Sequence, residues 1–210
     1  MEKSILNLLN TSHKKFTKII KNYSQRKRLP QNSHEKIRVK LLTFKDIELS
    51  NEYTATAFNP LYLMGERTSM VERSASLKPL ASALPTGVVR AYTQHESTPL
   101  LLGETKIYNT PKSKPFSIKL GKDFDTRVVQ KIISRNDDKY NFNAFVTYTI
   151  FNNSDKDKII NLDVPFNKEA TSTISSKLKY RFTKGNLATF TLKVKANSQR
   201  SFNVNFKSKR

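Results

Sequence analysis

The chain lacks cysteine and tryptophan, and only 5 of its 210 residues are glycine. The absence of cysteine excludes disulfides, thiolate metal sites and a cysteine nucleophile, and it leaves the redox compartment undetermined. No two glycines lie closer than Gly87 and Gly103, which are 16 positions apart; the others are Gly65, Gly121 and Gly185. The sequence therefore has no glycine-rich phosphate loop, which excludes the nucleotide-binding enzymes that depend on one.

Signatures of hydrolytic and metal-dependent enzymes are missing as well. The histidines His13, His34 and His95 form no H-E-x-x-H pair, and no G-x-S-x-G nucleophile turn occurs. His95 beside Glu96 has the chemistry of a general base, but an exposed loop histidine is the more ordinary interpretation. We therefore expect no enzymatic activity and no cofactor. A hydrolase built from dispersed carboxylates is the alternative.

One segment places oxygen ligands at short spacing. Asn153, Asp155 and Asp157 alternate as calcium ligands do, yet neither the turn glycine nor the distal glutamate of an EF-hand loop follows them. The pattern predicts a hairpin turn and no metal site.

No apolar run is long enough to span a bilayer, which takes about 20 mostly apolar residues. Between Ser4 and Tyr23, apolar residues recur at roughly helical spacing, which predicts an amphipathic N-terminal helix. Asn7 and Asn10 interrupt the apolar run and no small-residue cleavage site follows, so the segment is not an export signal. The sequence as written predicts a cytoplasmic protein, with the envelope or periplasm as the alternative if Met1 is not the natural start.

Acidic residues are scarce, and the formal net charge is +21. Residues 1–40 hold 11 Lys and Arg against 2 acidic residues, and residues 171–210 hold 10 against none. Such ends attract anionic partners, although an abundance of lysine and asparagine throughout the chain is the more ordinary explanation. We expect residues 1–35 to form the helix and a basic linker. Residues 36–210 are predicted to form a β-rich domain, with its core best defined over residues 84–210.

From residue 140 onward, apolar residues alternate with polar ones. The even positions are apolar in several successive segments: Phe142, Val146, Tyr148 and Ile150; Ile160, Leu162, Val164 and Phe166; Leu178, Tyr180 and Phe182; Ala188, Phe190, Leu192 and Val194; Phe202, Val204 and Phe206. A two-residue period predicts strands with one buried face. Because short turns separate the segments, we predict an all-β chain with an antiparallel, immunoglobulin-like β-sandwich.

The cations of the C-terminal region fall on the opposite, solvent-facing positions: Lys177, Lys179, Arg181, Lys193 and Lys195. Two interpretations fit this placement. Charge on outward positions keeps a sheet from pairing with other chains; alternatively, adjacent strands gather the cations into a face for an anionic ligand. The aromatic residues follow the core positions, which disfavours a stacking platform for nucleic acid. A protein partner or an anionic surface is the expected kind of partner, and the oligomeric state is not predicted.

The stretch from Leu84 to Asp125 contains the strings LPTGVVRAY, LLGE, NTPK and LGKDFD in that order. With these motifs the stretch resembles the C-terminal domain of bacterial mucoidy-inhibitor-like proteins, a domain-of-unknown-function family. The motif positions are Leu84, Pro85, Gly87, Arg90, Gly103, Glu104, Thr110, Pro111, Lys112, Gly121 and Asp125. The resemblance implies an all-β domain with no established enzymatic role and no catalytic residues.

The longer architecture of that family, with a separate N-terminal domain and a coiled coil, does not appear in this sequence, so we expect a shortened member. The function that follows is a non-enzymatic interaction or structural module. A basic protein that binds nucleic acid or another anionic polymer is the alternative hypothesis.

Overall fold

The computed structural model describes residues 4–12, 15–26, 36–44, 47–95, 98–166, 172–183 and 186–209, with the backbone alone for residues 4–48, 94 and 95. These residues form fourteen strands and one short 3-10 helix, η1 (Pro60–Tyr62). The strands are β1 (Ser4–Ser12), β2 (Lys15–Arg26), β3 (Lys36–Phe44), β4 (Ile47–Thr56), β5 (Glu66–Leu77), β6 (Gly87–His95), β7 (Thr98–Ile107), β8 (Phe116–Asp137), β9 (Asn141–Asn152), β10 (Lys158–Pro165), β11 (Ser172–Ser175), β12 (Tyr180–Thr183), β13 (Leu187–Val194) and β14 (Ser198–Lys209).

The chain divides into two compact units, and neither is continuous in sequence. Unit 1 comprises Met1–Asn51 and Ser74–Gly121, and unit 2 comprises Glu52–Arg73 and Lys122–Arg210. The strands β4, β5 and β8 each contain residues of both units. This division differs from the boundary predicted between residues 35 and 36.

Unit 1 is a mixed sheet in the order β3-β2-β1-β6-β7. Strands β1 and β6 run parallel, and the other neighbours in this order run antiparallel. A small apolar core belongs to this unit: Leu77, Leu80, Leu84, Val89, Ala91, Ile107 and Ile118.

Unit 2 is a mixed sheet in the order β11-β14-β9-β8-β5-β4-β10-β13-β12. The sheet curls, because strands far apart in this order pack together. The ring of Phe190 on β13 lies 4.9 Å from that of Phe202 on β14, and Phe202 stacks on Tyr148 of β9 at 5.3 Å. These aromatic rings are part of the larger core. Each of the alternating segments contributes buried or partly buried side chains to it.

The all-β prediction is confirmed, and so is the alternation in most of the segments; it fails around β12, where Leu178 lies outside the strands and Phe182 is exposed. On β9 every second residue from Phe142 to Asn152 is buried, and on β10 every second residue from Lys158 to Val164. Phe190, Leu192 and Val204 are likewise buried on strands.

The predicted antiparallel sheet, in contrast, is mixed. Strand β4 runs parallel to β10 from Tyr53, opposite Ile160, to Thr56, opposite Asp163. A two-residue period places one face of a strand in the core whichever way its neighbour runs, so the period does not determine strand direction.

The predicted N-terminal helix is wrong. The backbone from Ser4 to Ser12 forms β1 and that from Lys15 to Arg26 forms β2; the two are antiparallel, with Leu8 opposite Ile19. Short apolar runs fit the helical period and the strand period about equally well. Here the residues form a strand, because β1 pairs with β6. The basic linker predicted after Tyr23 lies mostly outside the described residues, at 27–35.

Strand β8 continues through Gly121, which has φ +100°. One predicted turn also differs. The segment 153–157 does not close a hairpin, because β9 pairs with β8 and β14 while β10 pairs with β4 and β13. It connects two parts of the curled sheet instead.

Among the residues that the structure describes, none belongs to a helix with the length and hydrophobicity that a bilayer-spanning segment requires.

Candidate functional site

The segment 58–65, which contains η1, is fastened to β8 by side chains. Gln130 accepts a hydrogen bond from the backbone N–H of Phe58 (2.9 Å) and donates to the carbonyl of Phe58 (2.9 Å). The backbone N–H of Ile132 donates to the carbonyl of Gly65 (3.0 Å). Gln130 is 1% exposed. Its amide therefore satisfies the backbone N–H and carbonyl of Phe58 in the core, as the backbone of a neighbouring strand would.

Arg135 completes this attachment. Its guanidinium donates to the carbonyls of Leu63 (2.9 Å) and Leu61 (3.1 Å) and to the carboxylate of Asp137 (2.7 Å), and it lies 5.3 Å from the ring centroid of Phe142. The planar group thereby joins Leu61, within η1, and Leu63, just after it, to β8. Its charge is paired with Asp137, so we interpret Arg135 as a structural cation.

A cavity of about 550 Å³ opens between η1 and the adjacent strands of unit 2. Most of its lining is apolar: Pro60, Leu61, Tyr62, Met64, Phe142, Pro165, Phe166 and Phe206. Tyr62 and Met64 are 70% and 72% exposed, so the cavity is open to solvent. We call it the η1 cavity. Its volume falls within the range of about 300–1,000 Å³ that is typical of small-molecule sites.

The described polar groups of the η1 cavity include two serines. The hydroxyls of Ser172 and Ser208 lie 2.8 Å apart, joining β11 to β14. Among the described lining residues there is no His, Asp or Glu to take a proton from either hydroxyl. The described part of the lining is therefore suited to binding apolar groups.

Tyr148 lies in the core and contacts the same attachment. Its hydroxyl accepts a hydrogen bond from Gln130 (3.3 Å). Burial raises the pKa of Tyr148 above its usual range, and the hydrogen bond from Gln130 opposes the rise. The phenol is therefore neutral wherever the fold is intact.

The structure does not gather the five predicted cations into one dense patch. Lys193 pairs with Asp157 at 3.0 Å, and Arg181 lies opposite Thr189, four positions along β13 from Lys193. Four residues of a strand span about 13 Å. Lys177, Lys179 and Lys195 are exposed outside the strands. The anionic-ligand face stays a prediction.

The prediction that aromatic residues follow the core positions fails at two places. Phe145 and Phe151 lie at odd positions of β9, whose even positions are buried, and both are half-buried. The guanidinium of Arg127 lies 4.6 Å from the ring centroid of Phe151. An aromatic ring and a cation therefore share the outer side of the sheet here.

Three of the four motif strings meet in unit 1. Leu84 and Thr110 exchange two backbone hydrogen bonds of 2.8 and 2.7 Å, which join the LPTG string to NTPK. The side chain of Asn109 accepts from the backbone N–H of Thr86 (2.9 Å). Pro85 and Pro111 lie beside this bridge. Lys112 is exposed in the turn that follows.

The LLGE string, on β7, contacts the two neighbouring strands, β6 and β8. Glu104 pairs with Arg90 on β6 at 2.5 Å. A Cβ on Gly103 would lie 2.1 Å from the carbonyl oxygen of Lys119, so only glycine permits this approach of β7 to β8. Asp125 accepts a backbone hydrogen bond from Asn153 (2.8 Å) within unit 2. Structural contacts thus explain six of the motif positions: Leu84, Arg90, Gly103, Glu104, Thr110 and Asp125.

A buried ion pair in unit 2 was not predicted. The ammonium of Lys158 lies 2.6 Å from the carboxylate of Asp123 and 3.0 Å from the hydroxyl of Thr126, which itself donates to Asp123 (2.6 Å). The Lys158 ammonium also lies 5.0 Å from the ring centroid of Tyr53. Burial raises the pKa of Tyr53, Arg73 opposes the rise and Asp123 adds to it.

Asn153, Asp155 and Asp157, which have the spacing of calcium ligands but were predicted to form a turn, lie at the surface. Asp157 accepts hydrogen bonds from Lys193 and from the backbone N–H of Ala196 (3.0 Å), which lower its pKa, and Asp155 is exposed. Within the described ranges, no three His, Asp or Glu side chains come close enough to hold a metal ion. His13 and His34 lie outside those ranges, and for His95 only the backbone is described.

A scan against protein-family models, a search of curated proteins and a search of solved structures each found no match to the chain. The resemblance to mucoidy-inhibitor-like proteins therefore stays a prediction.

The sequence contains a signal for the buried polar contacts made by Gln130 and by the Lys158–Asp123 pair. Gln130, Lys158 and Thr126 are polar residues at positions where the alternation places buried side chains. A polar residue at a core position must find a partner inside the protein. Its partner, however, lies far away in sequence, as Phe58 does from Gln130, and no spacing rule identifies it.

Proposed function

We propose that the chain is a non-enzymatic binding module built on an immunoglobulin-like β-sandwich, and that the η1 cavity is its ligand-binding site. The ligand is a small apolar molecule. We include in the proposal that the chain is a shortened member of the family it resembles. The sandwich is supported by the packing of Phe202 against Phe190 and against Tyr148 across the core.

The observation that carries the proposal is an apolar cavity of ligand size with exposed apolar side chains at its opening. Exposed side chains as large as Tyr62 and Met64 lose contact with water only when something binds, and burying such a side chain fully contributes about 1.5–3 kcal/mol. The fixed position of η1 on β8 preforms the site, so little ordering accompanies binding.

The test is a fluorescence titration with Nile red, a neutral apolar dye. We expect saturable binding that Tyr62→Ala and Met64→Ala each weaken by about tenfold, which corresponds to about 1.4 kcal/mol. Tyr108→Ala is the matched control, because Tyr108 is a tyrosine of unit 1 that is 72% exposed and does not line the cavity. Equal weakening by Tyr62→Ala and Tyr108→Ala, or no saturable binding at all, would rule out the η1 cavity as the ligand site.

A further inference from the structure

The outer side of β8, β9 and β14 presents aromatic rings and cations together. The register places Arg127 beside Phe151 and Lys131 beside Thr147; on the other side of β9, Asn203 lies beside Thr147. Paired residues of neighbouring strands lie on the same side of a sheet. We call this surface the β9 face and define it by Arg127, Lys131, Phe145, Phe151, Asn203 and Lys207.

The β9 face offers flat surfaces for stacking. The guanidinium plane of Arg127 covers Phe151, and Phe145 is half-buried at the other end of the strand. These two phenylalanines are six residues apart on β9, which is about 20 Å. Unpaired bases stack on aromatic rings and on arginine planes, and such stacking tolerates any base because each has a π-face.

Cations predominate on the β9 face, and its acidic neighbour is Asp125, an exposed residue two positions before Arg127 on β8. The segments 126–136, 141–152 and 198–209, which supply this face, contain no Asp and no Glu. Lys131 and Lys207 are exposed. The hydroxyl of Thr147 donates to the side-chain oxygen of Asn203 (2.8 Å), which leaves the amide hydrogens of Asn203 for another acceptor. Cations and amide donors beside aromatic rings complement a phosphate backbone with accessible bases.

We propose that the β9 face binds single-stranded nucleic acid without regard to sequence. The ring of Phe145 and the guanidinium of Arg127, which lies over Phe151, supply the stacking surfaces, and Arg127, Lys131 and Lys207 contact phosphates. A duplex fits this face less well, because its bases are already stacked on one another and offer no free π-face to the two rings. Of the residues that define the β9 face, Lys207 also lines the η1 cavity, and the proposal does not depend on the ligand of that cavity.

The test is fluorescence anisotropy with a fluorescein-labelled single-stranded oligonucleotide of mixed sequence, measured at several salt concentrations. With three phosphate contacts we expect the logarithm of affinity to fall with the logarithm of salt at a slope of roughly −2. Arg127→Glu should weaken binding at least about tenfold, since it removes a phosphate contact and a stacking plane. The matched control Arg181→Glu carries the same charge change on β12 and should alter affinity less than about twofold.

Phe145→Leu separates stacking from charge. We expect it to weaken single-strand binding at least about fivefold with an unchanged salt slope, because stacking on one ring is lost and the cations stay. The wild-type protein should bind the strand more tightly than a duplex of the same sequence. Equal losses from Arg127→Glu and Arg181→Glu, equal binding of duplex and single strand, or heparin binding as tight as that of the strand and insensitive to Phe145→Leu would each overturn the proposal. Absence of binding would do the same.

Discussion

The buried ion pair of unit 2 allows a quantitative test of how the core is held together. The side chains of Lys158 and Asp123 are 7% and 10% exposed, and their charged atoms lie 2.6 Å apart. Removing one member leaves the other charge buried without its partner. From buried pairs of this kind we expect Lys158→Met and Asp123→Leu each to lower the free energy of unfolding by about 3–5 kcal/mol.

The double variant should be far less damaging than the sum of the two. With both charges gone, the remaining cost is the hydroxyl of Thr126, which is fully buried and loses both of its partners. An unsatisfied buried group of this kind costs about 1–3 kcal/mol. We therefore expect a coupling free energy of at least about 3 kcal/mol between the two positions. Adding Thr126→Val to the double variant should recover most of the remaining loss.

Urea unfolding followed by circular dichroism measures these differences, because urea does not screen charge as guanidinium chloride does. The pair Lys193–Asp157 is the control: its side chains are 63% and 45% exposed, so its coupling should be much smaller. Additive losses at Lys158 and Asp123 would refute the reasoning, because they would mean that neither charge depends on the other.

Three further predictions concern positions that the structure explains. Gly103→Ala should destabilise the protein by about 1–3 kcal/mol in urea unfolding, because the added methyl meets the carbonyl of Lys119; a neutral result would contradict the close approach. Gln130→Leu should cost about 1–3 kcal/mol and weaken Nile red binding, because the backbone groups of Phe58 lose their partners; unchanged binding would mean that this attachment does not shape the cavity. The pKa of Asp157, followed by NMR, should lie below the ordinary 3.8 and rise in Lys193→Ala, so that its contribution to stability is present at neutral pH and lost as the pH falls through the lowered value; an ordinary pKa would contradict the pairing.

The sequence predicted the strands of the second half of the chain well, for a physical reason. On β9 and β13 the side chains of one face are buried, so the two-residue period is fixed by the core and visible in the residues themselves.

The N-terminal region shows why the rest was not predictable. The apolar residues of Ser4–Tyr23 satisfy a helical period, and what decides against the helix is pairing with residues 88–93, far along the chain. The parallel pairing of β4 with β10 likewise joins residues that are far apart in the sequence. Local patterns contain no information about partners at that distance.

The candidate site was also hidden from the sequence. The η1 cavity is assembled from six separate parts of the chain, and its shape depends on Arg135 reaching carbonyls more than 70 residues away. Pro60 begins a 3-10 turn that Asn59 caps through its side chain (3.0 Å to the N–H of Leu61). The Asn-Pro sequence is a turn signal, but it does not show that the next residues line a cavity.

The measurement that tests the binding module most directly is a set of amide proton–nitrogen NMR spectra recorded while Nile red is added. If the η1 cavity is the ligand site, the largest shifts fall on residues 61–64 and 206–208, and the residues of β12 and β13 stay where they were. Shifts centred on unit 1 or on β13, with residues 61–64 unchanged, would contradict it.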